Sequence, residues 1–225
     1  MKALKSSLSV FAIASALALP ASASFAMSTI SDSPNGTFSN GSLDGWQERS
    51  FDGNTEYELV EADGFSVLRG HTQATASVLY KEQTINLEDT PIIKWSWRVD
   101  ETYDGLEEKT KAGDDFPARL YVVAQVGFLP WETLAINYVW GSDVEEGETW
   151  LNPFTDKAVM VAVKSGDGDL GKWTTHSRNV AEDFKNLFDQ DIDELNGYAV
   201  MVDGDNSGQS GTAWFGEINF MSPSL

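Results

Sequence analysis

Ile93-Lys94-Trp95-Ser96-Trp97-Arg98-Val99 alternates without a break. Ile93, Trp95, Trp97 and Val99 take one side, and Lys94, Ser96 and Arg98 take the other. A period of two is the mark of a half-buried strand. It returns downstream in Leu120, Val122, Ala124 and Val126, then in Leu134, Ile136, Tyr138 and Trp140. Val159, Val161 and Val163 repeat it, and so do Trp214, Gly216, Ile218 and Phe220. Upstream, strands are expected around 56–60, 65–69 and 76–83. Gly, Asp and Asn turns separate these segments, which predicts an all-β chain folded as an antiparallel β-sandwich of the jelly-roll kind, not a parallel α/β sheet. Val180, Phe184, Leu187 and Phe188 fall instead at helical spacing and predict one short helix across an end or edge of the sandwich. Trp95 and Trp97, on one strand face, are expected in the core.

The ends of the chain set the compartment. Lys2 and Lys5 precede an apolar run from Leu8 to Leu19, and Ala21-Ser22-Ala23 offers a small-residue cleavage site. Residues 1–23 therefore read as a signal peptide, with a second candidate cleavage site at Ala26, and residues 24–225 as a single domain. The apolar run is too short to span a bilayer, so the expectation is an exported protein, periplasmic or extracellular. The chain has no cysteine, which excludes disulfides and zinc–thiolate sites. Without Lys2 and Lys5, 13 basic residues face 35 acidic ones, a net charge near −22. That charge argues against nucleic acid or an anionic membrane as partner and favours cations or neutral sugars.

Charged and aromatic residues at strand mouths supply the candidate sites. Lys111-Ala-Gly-Asp114-Asp115-Phe-Pro-Ala-Arg119 places two carboxylates between two cations just ahead of a strand. It reads either as an internal salt-bridge network or as a binding rim whose carboxylates accept hydroxyls while Arg119 donates. Arg178 and Asp183 are candidates for the same network. Trp46, Trp131, Trp140, Trp150 and Trp173 lie near turns or strand ends, where a flat ring can stack on a sugar. Trp150, between Glu148 and Asn152, is the best placed of these. Asp203-Gly204-Asp205-Asn206-Ser207 spaces oxygen ligands at alternate positions around a Gly, as a calcium loop does, with Asp203, Asp205 and Ser207 the candidate ligands. Asp167 and Asp169 have similar spacing. Both stretches are equally good hairpin turns.

Four segments, in order, carry a family resemblance: 111–123; Asn137-Tyr138-Val139-Trp140; 173–184, with Arg178, Asn179 and Asp183; and 200–206. The chain resembles the exported bacterial family catalogued as domain of unknown function 3047. The resemblance implies a β-rich exported domain and carries over no catalytic residue. More loosely, Phe38 to Trp46 and Phe215 to Phe220 look like the ends of galactose-binding jelly rolls. That likeness implies first and last strands that meet, often across a structural calcium.

Enzyme chemistry is poorly supplied. His71 and His176 are the only histidines, no Gly-x-Ser-x-Gly elbow occurs, and 35 acidic residues make any carboxylate pair uninformative. Tyr138, His176, Arg178 and Gln125 are the residue types of a polysaccharide lyase. The first expectation is a non-catalytic sandwich binding a polysaccharide or envelope glycan through Lys111, Asp114, Asp115, Arg119, Tyr138, Trp140, Trp150, Arg178 and Asp183, with calcium as the candidate cofactor. A polysaccharide-active lyase or hydrolase and a structural protein of the cell envelope are the alternatives.

Overall fold

The structure, a computed structural model, describes residues 37–127, 129 and 132–223. The signal segment and Trp131 lie outside the described residues. The strands are β1 (Trp46–Asp52), β2 (Glu56–Ala62), β3 (Phe65–Gln73), β4 (Ala76–Asn86), β5 (Ile92–Val99), β6 (Ala118–Gln125), β7 (Thr133–Gly141), β8 (Thr149–Leu151), β9 (Ala158–Ser165), β10 (Thr174–Asn179), β11 (Glu194–Met201) and β12 (Ser210–Met221), with a helix α1 (Val180–Phe188) between β10 and β11. They form two stacked sheets, a large one of seven strands in the order β1-β4-β11-β6-β7-β9-β8 and a small one of five in the order β10-β5-β12-β3-β2.

The alternation read from β5 is the alternation observed. Ile93, Trp95, Trp97 and Val99 are buried between the sheets, and Lys94 is exposed. Trp95 meets Trp97 edge-on at 5.5 Å and lies 5.3 Å from Tyr138 across the core. Leu120, Val122, Ile136, Tyr138, Trp140, Val161, Leu195 and Phe215 complete the contact from both sheets. Trp46, named as a stacking residue, instead packs on Phe38 at 5.3 Å and on Tyr198 at 5.4 Å.

Four strands escape the periodicity. β10 (TTHSRN) is a polar edge strand, and β1 and β8 are short or polar edges of the large sheet. β11 carries a register shift between Leu195 and Gly197, which breaks its alternation. β7 and β9 pair in parallel, against the purely antiparallel expectation. The connection from 142 to 157 is long enough to carry the chain back to the same end, as a parallel pair requires.

Helix α1 starts at Asn179, whose side chain accepts the Glu182 N–H at 3.2 Å. It ends at Asp189 in the left-handed region, whose N–H bonds to the Lys185 carbonyl. Val180 and Phe184 are buried, so the helix closes one edge of the sandwich against β10 and β5. The chain ends also meet: the Thr37 hydroxyl donates to the Ile218 carbonyl at 2.6 Å, and Glu217 accepts the Ser39 N–H at 2.9 Å.

The outer face of the large sheet is also apolar. Tyr121, Val123, Ala135, Ala199 and Met201 form one cluster there. Phe116, Val139, Met160 and Ala162 form a second, against which Val144 and Trp150 pack. Connections 100–117 and 142–157 therefore lie over this face. Buried Glu108 ties them together by accepting the N–H groups of Ser142, Asp143 and Val144 at 2.7–2.9 Å.

Candidate functional site

Strand alternation sends Leu120 and Val122 into the core and Arg119, Tyr121 and Val123 to the outer face of the large sheet. Met201 sits beside Arg119 in the register, and two residues further on the chain delivers Asp203 to the same place. Arg119 Nε donates to Asp203 Oδ1 at 2.7 Å, and Nη2 donates to Asp203 Oδ2 and, at 2.6 Å, to the Asp114 carbonyl. The guanidinium lies over the Phe116 ring at 4.7 Å. Arg119 and Asp203 are 3% and 1% exposed, so this pair is sealed from water.

Two more carboxylates join from the turn before β6. Asp115 accepts Asn206 Nδ2 at 3.1 Å and the Ser207 N–H at 2.6 Å. Asp114 lies 3.5 Å from Arg119 Nη1 and 3.4 Å from Asn152 Nδ2. The Arg119 contact is ionic without a hydrogen bond, and Asp114 Oδ1 has no hydrogen-bond partner. Asp205 is half-buried, and Asp115, Asp203 and Asp205 each bring an oxygen within 4.8 Å of the others. Burial raises the pKa of Asp203, Asp114 and Asp205, with Arg119 working against it in each; Asp205, also facing Asp115, is pushed up to about 6. Burial opposes the charge on Arg119, but Asp203, Tyr121 and Asp114 hold its pKa above the ordinary value.

Adjacent to this cluster, one register row crosses all seven strands on the outer face: Gln47, Tyr80, Ala199, Tyr121, Asn137, Met160 and Trp150. Asn137 is 1% exposed, and neither its Nδ2 nor its Oδ1 is hydrogen-bonded. Trp150 Nε1 is buried and unpaired as well. Asn152 Nδ2, which reaches Asp114, also lies 3.5 Å from Met160 Sδ. Asn137, Trp150 and Asp114 thus surround Met160. Lys111 is exposed at the rim, 5.4 Å over the half-buried ring of Phe154.

The remaining candidates go elsewhere. Tyr138 donates to Asp183 Oδ2 at 2.7 Å, and Arg178 binds the same carboxylate through Nε at 2.9 Å and through Nη2. This triad lies on the inner side of the large sheet, so Arg178 and Asp183 do not belong to the Arg119 network as expected. Tyr138 and Trp140 are fully buried core residues, and Trp140 Nε1 is bonded to the Gly166 carbonyl at 3.1 Å; neither offers a ring face to a surface ligand. His176 packs against Trp95 and Trp97, and Gln125 lies at the far end of β6, bonded to the Gly127 carbonyl. No lyase-like cluster forms from these four residues. Ser207 points its N–H at Asp115 while its Oγ accepts the Gln209 N–H, so Asp115 stands where Ser207 was expected beside Asp203 and Asp205. In the second proposed calcium turn, Asp169 is held by Lys164 at 2.9 Å and Lys172 at 3.1 Å.

Trp173 lies on the outer face of the small sheet, 5.8 Å from Arg98, which stacks on Trp214 at 4.2 Å. Both indole N–H groups are used, by Asp63 and Asp100. Asp143, Glu145 and Glu148 line a shallow cleft of about 520 Å³ with Glu107, Glu108 and Lys109.

Asn137, quoted above only in a family motif, Asn152, quoted only as a neighbour of Trp150, and Tyr103 were not among the candidate site residues. Asn137 left a trace there: β7 is apolar on both faces, and Asn137 alone interrupts its outward set, between Ala135 and Val139. A lone amide on a doubly buried strand signals a specific partner.

No curated protein matches this sequence. Among solved structures, the chain is similar to TmCBM61 in complex with β-1,4-galactotriose, at 7% identity and TM-score 0.44 over 87% of this chain and 100% of that one. It is similar to a non-crystalline-cellulose-specific carbohydrate-binding module, CBM28, at 16% identity and TM-score 0.46 over 84% and 94% of the two chains. It is also similar to the cellulose induced protein Cip1, at 11% identity and TM-score 0.49 over 80% and 92%. A family model matches residues 44–219, nearly the whole described domain, and the chain belongs to that family, "Protein of unknown function (DUF3047)".

Proposed function

We propose that this protein is a non-catalytic binding domain for a neutral carbohydrate, held on the outer face of the large sheet beside Arg119. The observation that carries this reading is the unpaired carboxamide of Asn137, with the unpaired Trp150 N–H on the same register row and Asp114 Oδ1, ion-paired to Arg119 but without a hydrogen bond, close by. A buried polar group without a partner costs about 1–3 kcal/mol, so a set of them marks a place where a partner is expected. The set mixes donors and acceptors: an NH₂, a carbonyl, an indole N–H and a carboxylate oxygen. Sugar hydroxyls both donate and accept, and a run of them satisfies such a mixture. An apolar floor with few convergent polar groups is the usual make-up of a small-ligand site. Tyr121, Met160 and the small side chains Ala135 and Ala199 supply that floor. The acidic surface of the chain disfavours an anionic glycan.

Binding rather than turnover is favoured because the lyase-type residues are otherwise engaged. Tyr138 and Arg178 are committed to Asp183, and His176 to the tryptophan core. The N-terminal sequence supports action outside the cytoplasm after cleavage near Ala23 or Ala26; sequencing the mature N-terminus of the exported protein tests that.

The test of binding is retention on a panel of soluble and insoluble neutral polysaccharides, with released sugar measured in parallel. Retention without product is expected. Asn137→Leu is expected to abolish retention without lowering the melting temperature, because it removes two unpaired atoms from a buried apolar layer. No retention by the unaltered protein, or retention unaffected by the substitution, overturns the reading. New reducing ends or unsaturated products make the protein an enzyme.

A further inference from the structure

We propose that residues 148–156, the short strand β8 with the turn behind it, form a lid over Asn137 that opens along the acidic cleft and is latched by Lys109 and Glu148. The inference rests on the reading that a sugar binds at Asn137. Asn137 is 1% exposed and Asp114 5%, so no sugar reaches either while the covering connections stay in place. Binding at this site therefore requires part of the cover to move.

The fastenings of the two connections decide which part. Connection 100–117 is held at its end by buried groups. Arg119 Nη2 bonds to the Asp114 carbonyl, Asp115 accepts the Ser207 N–H, and Phe116 is fully buried with its N–H on Asp203. The first part of 142–157 is held as well. Glu108 accepts the N–H groups of Ser142, Asp143 and Val144, and Lys164 binds Glu146 at 2.7 Å. Gly147, in the left-handed region at φ 88°, turns the chain into the lid.

Beyond Gly147 the ties are weaker. β8 is an edge strand, paired through three residues to β9 alone. Asn152 Nδ2 makes only long contacts, 3.4 Å to Asp114 and 3.5 Å to Met160 Sδ. Leu151 is largely exposed. A short edge segment with few buried contacts is among the first parts of a domain to open.

The cleft marks where the lid parts from its neighbour. Glu107 and Lys109 line one wall, and Asp143, Glu145 and Glu148 line the other. Lys109 Nζ pairs with Glu148 across it, with both side chains partly in water. Val144 lines this cleft and packs on the cluster of Phe116 and Met160. Met160 is in turn the register neighbour of Asn137. Closed and empty, the lid leaves the Asn137 carboxamide and the Trp150 N–H without partners. Opening admits water to both, which offsets the loss of a three-residue ladder. Closing over a sugar replaces that water with hydroxyls.

The intact protein tests the lid in two ways. Without sugar, hydrogen exchange is read at the Asn152 and Ala162 amides, which bond across the lid's edge to the Ala158 and Glu148 carbonyls. Exchange there is expected to be faster than at the central β6 amides. Lys109→Ala, in a solvent-exposed pair, is expected to speed it further by about two- to fivefold and to leave β6 unchanged. Exchange as slow as in β6, or untouched by Lys109→Ala, overturns the proposal. In the second test, Lys109→Cys and Glu148→Cys are combined and joined by a bismaleimide with a cleavable centre, in a chain that has no other cysteine. Retention on neutral polysaccharide is expected to fall at least about tenfold on linking and to return on cleavage. Unchanged retention after linking overturns the lid and leaves the glycan reading standing. No retention by the unaltered protein overturns the glycan reading instead, and hydrogen exchange alone then decides the lid.

Discussion

Two arginine–aspartate pairs, one sealed and one half open to solvent, lie on opposite faces of the large sheet, and they are built differently. The Arg178–Asp183–Tyr138 triad is closed: one cation meets one carboxylate, and the phenol donates to the same group. Arg178 keeps 41% of its side chain in solvent, so the triad costs little desolvation on one side. The Arg119 cluster is open. Its cation is sealed, carboxylates outnumber it, Asp114 Oδ1 meets it without a hydrogen bond, and Asn137 and Trp150 leave unpaired atoms on the same outer face. A closed network holds a structure together, whereas an open one costs free energy until something else completes it. The contrast separates the side chains that fasten helix α1 from those available to a ligand.

Substituting each arginine tests the contrast most directly. Arg119→Leu leaves Asp203 buried and unpaired and is expected to destabilise the fold by about 3–5 kcal/mol, read by urea unfolding. A loss below about 1 kcal/mol would place this pair with exposed ones and erase the distinction. Arg178→Ala is expected to cost less, about 1–3 kcal/mol, because Asp183 retains the Tyr138 hydroxyl and water reaches the vacated space. Equal losses for the two substitutions would show that exposure of Arg178 does not matter.

A third expectation sharpens the open side. Asp205→Asn removes one of several like charges and is expected to leave stability within about 0.5 kcal/mol or raise it. A large loss there would make Asp205 a structural group of the fold. The smallest expected effect is a pH slope at His176 beside the closed triad. Burial, then Lys164, lowers its pKa below the ordinary 6.5, with Glu146 opposing. The unfolded chain therefore takes up the proton first as pH falls, so this residue's contribution is present above about 6.5 and is lost below it. His176→Gln is expected to flatten that part of the stability–pH profile, measured by denaturant midpoints from pH 7.5 downward.

Much of the sandwich is legible along the chain because burial on one face imposes a period of two, and β5, β6, β7, β9 and β12 obey it. The strands that escape are polar edges, where no face is buried enough to enforce alternation, and β11, whose bulge shifts the register. Site residues follow another logic. Asp114, Asp115 and Arg119 stand out because charges are conspicuous at the mouth of an apolar strand. Asn137 is chemically unremarkable until its outward position on β7 is known, and Tyr103 is one tyrosine in a loop until its buried hydroxyl is found without a hydrogen-bond partner. The seven-residue row from Gln47 to Trp150 draws on strands far apart in sequence, and no local pattern encodes it.

The sequence by itself determined the β-rich class, the tryptophan core of β5, the short helix at 180–188 and the strongly acidic character. These follow from side-chain type and spacing, which act over a few residues. The pairing of Arg119 with Asp203 rather than Lys111, the diversion of Arg178 and Asp183 to Tyr138, the replacement of Ser207 by Asp115 beside Asp203, and the isolation of Asn137 were decided only by tertiary structure. Sheet order and register bring those groups together, and sheet order is set by the burial of both sheets at once, a quantity that no single segment carries.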